Sequence, residues 1–84
     1  MESNEIIREE IFKIIENQMK NNNPQETNLT FKRLIKDGYN KSDTKKLIAQ
    51  CVAIEIFDVM KHRNTFNENR FIKNLKQLPK EPFD

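Results

Sequence analysis

The segment from Leu47 to Met60 constrains the fold more than any other part of the chain. Its fourteen residues, LIAQCVAIEIFDVM, carry polar side chains only at Gln50, Glu55 and Asp58. A helix that spans a membrane needs about 20 apolar residues, so this segment is too short and too interrupted to cross a bilayer. It is also more apolar than a surface helix that buries a single stripe. The segment therefore predicts a helix that is buried around most of its circumference, either by the other helices of the chain or by a partner subunit.

Length and composition favour a single all-α domain. The chain has 84 residues, near the lower end of what folds alone, so we expect residues 1–84 to form one domain. One glycine and three prolines leave few tight turns, which favours helices with short connections. We predict a four-helix, bundle-like domain whose apolar third helix lies at its centre. The predicted helices cover about 4–21, 24–37, 41–62 and 66–78, and a tail covers 79–84.

Helix-capping residues set the predicted helix boundaries. Gly38, the only glycine, suits the left-handed position that follows the end of the second helix. Side chains that cap the start of a helix precede each predicted helix, and an acidic residue follows within the first turn. The four predicted starts are Ser3 or Asn4 before Glu5, Asn23 with Pro24 and Glu26, Asn40 with Asp43, and Thr65 with Glu68.

The apolar side chains of the third helix divide into two strips when they are plotted at about 100° per residue. The broad strip is expected to face the other helices, and it consists of Ile48, Ala49, Val52, Ala53, Ile56, Val59 and Met60. The narrow strip consists of Leu47, Cys51 and Ile54, with Glu55 at its border. Because a second strip needs a second neighbour, the narrow strip predicts contact with a partner protein or with a second copy of the chain in a homodimer. Leu29, which faces away from the inward stripe of the second helix, extends the predicted interface to Leu29, Leu47, Cys51, Ile54 and Glu55.

Glu55 is the polar residue of the third helix that most needs a partner. A carboxylate that borders two apolar strips is costly to desolvate unless it is paired. We expect a Lys or Arg from a neighbouring helix to pair with it, or a position at the rim of the bundle. Gln18, in the apolar face of the first helix, is a second candidate for pairing with Glu55.

Cys51 and His62 do not form a joint site. They lie eleven residues apart in the third helix, which separates them by about 16 Å along the axis. That distance is too long for a shared metal ion or for a Cys–His couple. We expect Cys51 to be a small buried residue and His62 to interact with the dipole at the end of the helix.

Composition and motifs argue against an enzyme, a cofactor and a metal site. One glycine cannot form a glycine-rich phosphate loop, and the carboxylates have no His or Ser partner pattern. The net charge of +2 does not by itself predict nucleic-acid binding. One cysteine excludes an internal disulfide, and the acidic MESNEIIREE segment has no continuous apolar region typical of a signal peptide. We therefore expect a cytoplasmic protein without a membrane segment.

A helix-turn-helix motif for nucleic acid is the alternative function. The second helix, Gly38 and the basic start of the third helix follow the order of such a motif, and Lys41, Lys45 and Lys46 are placed to contact phosphates. Against it, the third helix continues into the apolar segment, and its first turns contain no Arg to read bases.

The chain resembles a family of small bacterial helical domains of unknown function. The resemblance covers about the first two thirds of the chain and rests on Glu16-Asn17-Gln18, Pro24, Thr30 with Arg33-Leu34, and Gly38. Many members of that family carry two pairs of histidines at i, i+4 spacing, one in the first helix and one at the start of the third, a layout that resembles a metal site. The corresponding positions here are Arg8, Phe12, Ser42 and Lys46, none of which replaces an imidazole ligand. The resemblance therefore implies a helical fold, and it implies neither a metal nor an activity.

Overall fold

Residues 2–82, which a computed structural model describes, form four helices connected by short segments. The helices are α1 (Glu2–Asn21), α2 (Gln25–Lys36), α3 (Lys41–His62) and α4 (Glu68–Gln77). This order confirms the predicted all-α, bundle-like fold, and α3 has the predicted bounds. Within the described residues, no helix is both long enough and apolar enough to cross a membrane.

The end of α2 is formed by Gly38, as predicted. Gly38 has a φ angle of 109°, and its N–H donates to the carbonyl oxygen of Ile35 at 3.1 Å. The N–H of Tyr39 donates to the carbonyl oxygen of Leu34 at 3.1 Å. This pair of hydrogen bonds is a Schellman motif, which satisfies the last carbonyl groups of a helix and reverses the chain.

The starts of α3 and α4 are both capped by asparagine. Asn40 Oδ1 accepts a hydrogen bond from the N–H of Asp43 at 2.7 Å, which confirms the predicted cap of α3. For α4 the prediction of Thr65 was wrong. The cap is Asn67, whose Oδ1 accepts from the N–H of Arg70 at 3.1 Å, so α4 begins two residues later than predicted.

The starts of α1 and α2 also differ from the predictions. Pro24 precedes the first residue of α2, and no side chain caps this helix by a hydrogen bond, so Asn23 is not its cap. Helix α1 already includes Glu2, two residues before its predicted start. The side chains of Ser3 and Asn4, proposed as caps, lie outside the described part of the chain, as do residues 83–84 of the predicted tail.

Helices α2 and α3 together form the centre of the domain. Each of them packs against the other three helices, whereas α1 and α4 pack only against this central pair. The prediction of a central third helix is confirmed, and α2 shares that position. The core consists of buried apolar side chains from all four helices and from the residue that follows α4. They are Ile11, Ile15, Leu34, Ile48, Cys51, Val52, Phe71, Leu75 and Leu78.

The buried face of α3 is centred on Glu55. At about 100° per residue, Glu55 projects between Ile48 and Cys51, which are both fully buried. The predicted broad and narrow strips are therefore two halves of one buried face, with the carboxylate between them. Met60, at the far edge of the broad strip, is 61% exposed rather than buried.

Polar side chains fix α2 against its neighbours. The guanidinium of Arg33 donates to the carbonyl oxygens of Leu75 and Leu78 at 3.0 and 2.8 Å. A cation at this position satisfies carbonyl groups at the C-terminal end of α4 and interacts favourably with its dipole. On the other side, Asn28 Nδ2 donates to the carbonyl oxygen of Met19 at the end of α1 at 2.9 Å.

Candidate functional site

The carboxylate of Glu55 is fully buried and accepts three hydrogen bonds. Arg70 Nε donates to Oε2 at 2.6 Å and Nη2 donates to Oε1 at 2.9 Å, while the N–H of Asn67 donates to Oε1 at 2.9 Å. This arrangement confirms the expected pairing with a cation from a neighbouring helix. Gln18 is not the partner, because its Oε1 accepts from the hydroxyl of Thr27 at 2.9 Å instead.

Asp58 extends the same network toward the surface. Arg70 Nη2 donates to Asp58 Oδ2 at 2.9 Å, and His62 Nδ1 lies 3.0 Å from Oδ1. The bonds from Arg70 and then from His62 hold the pKa of Asp58 below its usual range. Glu55 and Asp58 in turn raise the pKa of Arg70, so the guanidinium is charged at any physiological pH.

We refer to Glu55, Asp58, Asn67 and Arg70 as the α3–α4 clamp. The clamp joins the last three turns of α3 to the first turn of α4 and borders an open polar cavity of about 610 Å³ at the connecting segment. Its charged groups bond to one another, which is the arrangement of a structural ion pair. The network therefore provides no free acid or base within the clamp.

Cys51 is not an accessible nucleophile. Its thiol is fully buried, and burial raises its pKa to about 12, with a smaller contribution from the charge of Glu55. A thiol with such a pKa is protonated near neutral pH, and the thiolate is the reactive form. The expectation that Cys51 is a small buried residue is confirmed.

The residues of the predicted interface do not form one surface. Cys51 and Glu55 are covered by the chain's own helices, so neither is exposed to a partner, and Leu47 is half-buried against the core. Leu29 is 58% exposed in a depression between α2 and α4, whereas Ile54 lines a different depression on α3. The interface prediction was therefore wrong for Cys51 and Glu55, because α3 turns these two side chains toward the core.

An apolar groove lies instead between α1 and α3, and we call it the α1–α3 groove. Its volume is about 580 Å³. Apolar side chains dominate its lining, together with two cations and one amide. The lining residues are Ile7, Arg8, Ile11, Phe12, Lys46, Ala49, Gln50, Ala53 and Phe57.

Side-chain size explains why the groove is open. Ala49 and Ala53 lie one turn apart on α3, and neither side chain is long enough to fill the space between the helices. Phe12 from α1 and Phe57 from α3 line the groove with larger side chains. Phe57 is 53% exposed, so the chain leaves an aromatic ring in water beside an apolar groove.

Sequence reasoning missed the groove, although a signal for it was present. Phe57 belongs to neither predicted strip, and it follows Ala49 and Ala53 at successive spacings of four residues. Residues at that spacing share one face of a helix. The structure also brings Arg8, Phe12 and Lys46 together along the groove.

The lysines of the predicted nucleic-acid contact lie at the start of α3. Lys41 and Lys46 are exposed and Lys45 is half-buried, so the three side chains are not equally accessible to a nucleic acid. Lys46 lines the α1–α3 groove, and Asp43 adds a negative charge within the first turn. The basic patch is therefore smaller than the three lysines suggest.

No group of three or more His, Cys, Asp or Glu side chains in the described part of the chain is placed to hold a metal ion. Comparisons with protein-family models, with curated proteins and with solved structures gave no match. The resemblance to small bacterial helical domains stays a prediction.

Proposed function

We propose that this chain is a protein-interaction module that binds a helical segment of another protein in the α1–α3 groove. The observation that supports the proposal is an apolar groove between two helices with an exposed aromatic ring beside it. Helix-in-groove recognition uses such a surface, on which apolar side chains at i, i+3, i+4 and i+7 of the bound helix act as anchors.

The exposed apolar surface beyond the groove favours a protein partner over a small molecule. Met60 is 61% exposed and follows Phe57 at a spacing of three residues, so it continues the same side of α3. Ile6, next to the groove residue Ile7, is 60% exposed. Apolar surface that extends past a pocket is typical of an interface between macromolecules.

As part of the same proposal, we place the module in the cytoplasm. Cys51 is a free, buried thiol, and it is the only cysteine of the chain. A small helical domain without disulfides fits a reducing compartment.

Site-specific photo-crosslinking in cells tests the proposal. A photoreactive p-benzoylphenylalanine replaces Phe57 in one variant and Leu29 in a matched control, because the two residues are similarly exposed and lie in different depressions. We expect a protein adduct from position 57 and none from position 29. Mass spectrometry then identifies the crosslinked segment, which we expect to be an amphipathic helix.

Three results would contradict the proposal. They are the absence of an adduct at position 57, the same adducts at both positions, and adducts with nucleic acid alone. An adduct of twice the mass of the chain would be a fourth contradiction, because it would identify a second copy of the chain, instead of another protein, as the occupant of the groove.

Nucleic-acid binding through Lys41, Lys45 and Lys46 stays the alternative function, supported by the exposed Lys41 and Lys46. It predicts a mobility shift of duplex DNA that weakens as salt is added, because phosphate contacts release counterions. The Lys41→Ala/Lys45→Ala double variant would abolish that shift and leave the groove intact. An unchanged mobility of DNA at low salt would exclude this alternative.

A further inference from the structure

We infer that the helix bound in the α1–α3 groove is acidic, with carboxylates beside its apolar anchors. The inference rests on the proposed function and specifies the chemistry of the partner. It follows from the two cations that line the groove and from the lack of a salt bridge between either cation and the described carboxylates.

The two walls of the groove each provide one cation. Arg8 lies on α1 and Lys46 lies on α3, and Gln50 is the remaining polar residue of the lining. Among the residues that the structure describes, no Asp or Glu lines the groove. A partner that covers this surface therefore meets positive charge on both sides of an apolar floor.

Neither cation is neutralised within the described part of the chain. The described side chains form no salt bridge with Arg8 or with Lys46, although α1 is rich in glutamate. The guanidinium of Arg8 lies 5.7 Å from the centre of the Phe12 ring, which keeps it beside the groove. Covering two unpaired cations without providing an anion costs desolvation energy, so the groove selects for carboxylates.

The floor of the groove sets the spacing of the apolar anchors. Ala49 and Ala53 are separated by about 6 Å along α3, which is the distance between side chains at i and i+4 of any bound helix. Apolar residues of a partner helix then pack over the two alanines while acidic residues on its flanks approach Arg8 and Lys46.

The same charges argue against a second copy of this chain as the occupant. In a two-fold dimer in which the two grooves meet, the cations Arg8 and Lys46 of one copy would face the cations of the other copy. The described residues of the groove lining include no carboxylate to pair with them. A different protein that provides the acidic residues avoids this repulsion.

Selection from a peptide library tests the inference. The full chain is used to select from a random phage-displayed library of peptides about four helical turns long. We expect the enriched peptides to be acidic, with apolar residues at i, i+3 or i+4, and i+7. The dissociation constant of the best peptide is then measured by fluorescence anisotropy at low and at high ionic strength.

Matched variants assign the interaction to the groove and to its charges. The Arg8→Glu/Lys46→Glu double variant should weaken binding by at least about tenfold, since it replaces two attractions by repulsions. Phe57→Ala should also weaken binding, and Leu29→Ala should not change it. Added salt should weaken binding to the natural chain more than binding to the charge-reversed variant.

The possible failures are distinguishable. Enriched peptides that are neutral or basic, or an unchanged dissociation constant after charge reversal, would overturn the inference and leave the proposed function intact. Tighter binding to vesicles of anionic phosphatidylglycerol than to any peptide would overturn it in favour of a membrane surface. If no enriched peptide depends on Phe57, both the inference and the proposed function fail.

Discussion

Among single residues, Glu55 is expected to have a large effect on stability. Glu55→Ala would leave the N–H of Asn67 without its acceptor and would leave the guanidinium of Arg70 with Asp58 as its remaining partner. Removing one partner of a buried ion pair costs about 3–5 kcal/mol. The free energy of unfolding of a domain of this size is on the order of 4–13 kcal/mol, so urea denaturation should show a large loss.

Two further variants distinguish the loss of an ion pair in itself from the cost of leaving a buried charge without its partner. Glu10→Ala removes an exposed ion pair with Lys13 and should leave the urea midpoint almost unchanged. The Glu55→Leu/Arg70→Met double variant should be more stable than Glu55→Ala, because it removes both members of the buried pair, while Asp58 keeps its contacts with His62 and Asn64. A Glu55→Ala protein as stable as Glu10→Ala would show that the clamp contributes little.

Asp58 provides a pH-dependent part of the stability. Its pKa in the folded protein is lowered by Arg70 and His62, so the folded state binds fewer protons than the unfolded state, in which an Asp has a pKa of about 3.9. The stabilisation is therefore fully present above that value and is lost as the pH falls through the lower pKa of the folded state.

The Asp58→Asn variant tests whether the stabilisation by Asp58 is lost as the pH falls. The natural protein should be the more stable of the two near neutral pH, and the difference between their urea midpoints should shrink as the solution is acidified below about pH 4. A difference that is the same at all pH values would show that Asp58 contributes by packing or by hydrogen bonding alone.

The type of partner for Glu55 was predictable, but its identity was not. A buried carboxylate needs a cation, and this requirement is readable from the sequence. Arg70 is fifteen residues away, beyond a connecting segment whose path is set by the packing of α4 on α2 and α3. The partner of Gln18 is likewise set by the packing of the helices. The turn between α1 and α2 places the hydroxyl of Thr27 beside the Gln18 side chain.

The residues that cap the helix ends were predictable from the sequence where no contact with another helix competes with the local hydrogen bonds. Gly38 and Asn40 act with their sequence neighbours alone, and both were predicted. Thr65 and Asn67 are both favourable caps, and a contact outside α4 selects between them. The N–H of Asn67 donates to Glu55, which fixes the backbone of Asn67 just before α4.

The end of α3 allows a test of backbone conformation. Arg63 follows α3 with a φ angle of 56°, a left-handed conformation that is unfavourable for residues with a Cβ atom. Arg63→Gly should raise the free energy of unfolding by about 0.5–1 kcal/mol. Lys61→Gly, two residues earlier inside the helix, should lower it by about 1 kcal/mol.

Circular dichroism during urea denaturation measures both changes. Opposite signs for two glycine substitutions in the same helical turn would assign the effect to the backbone at position 63. Equal destabilisation by both substitutions would show that the Arg63 side chain contributes more than its conformation costs.

For the whole molecule, the fold was largely predictable and the groove was not. The apolar Leu47–Met60 segment indicated a central helix because it contains more apolar surface than one stripe. The groove depends on how α1 and α3 are placed relative to each other, which local periodicity does not determine. Phe57 is recognisable as a groove residue only when the structure places it beside Phe12 and the two alanines of α3.

Stability should therefore be uneven across the molecule. Helix α3 packs against three helices, whereas in the first turns of α1 the residues around Ile7 are exposed. Amide protons that open without disrupting the core exchange at lower free energies than those that need global unfolding. Native-state hydrogen exchange should thus be faster for residues 6–10 of α1 than for the segment between Ile48 and Glu55.

Glu55→Ala and the selected peptide should change these two regions differently. The variant should speed exchange between Ile48 and Glu55 by the factor that corresponds to its lost free energy of unfolding, and should barely affect residues 6–10. The peptide should slow exchange in residues 6–10, because Ile7 and Arg8 form part of the groove wall in the exposed first turns of α1. Equal protection of both regions in the free protein would contradict this, since the groove would then be as rigid as the core.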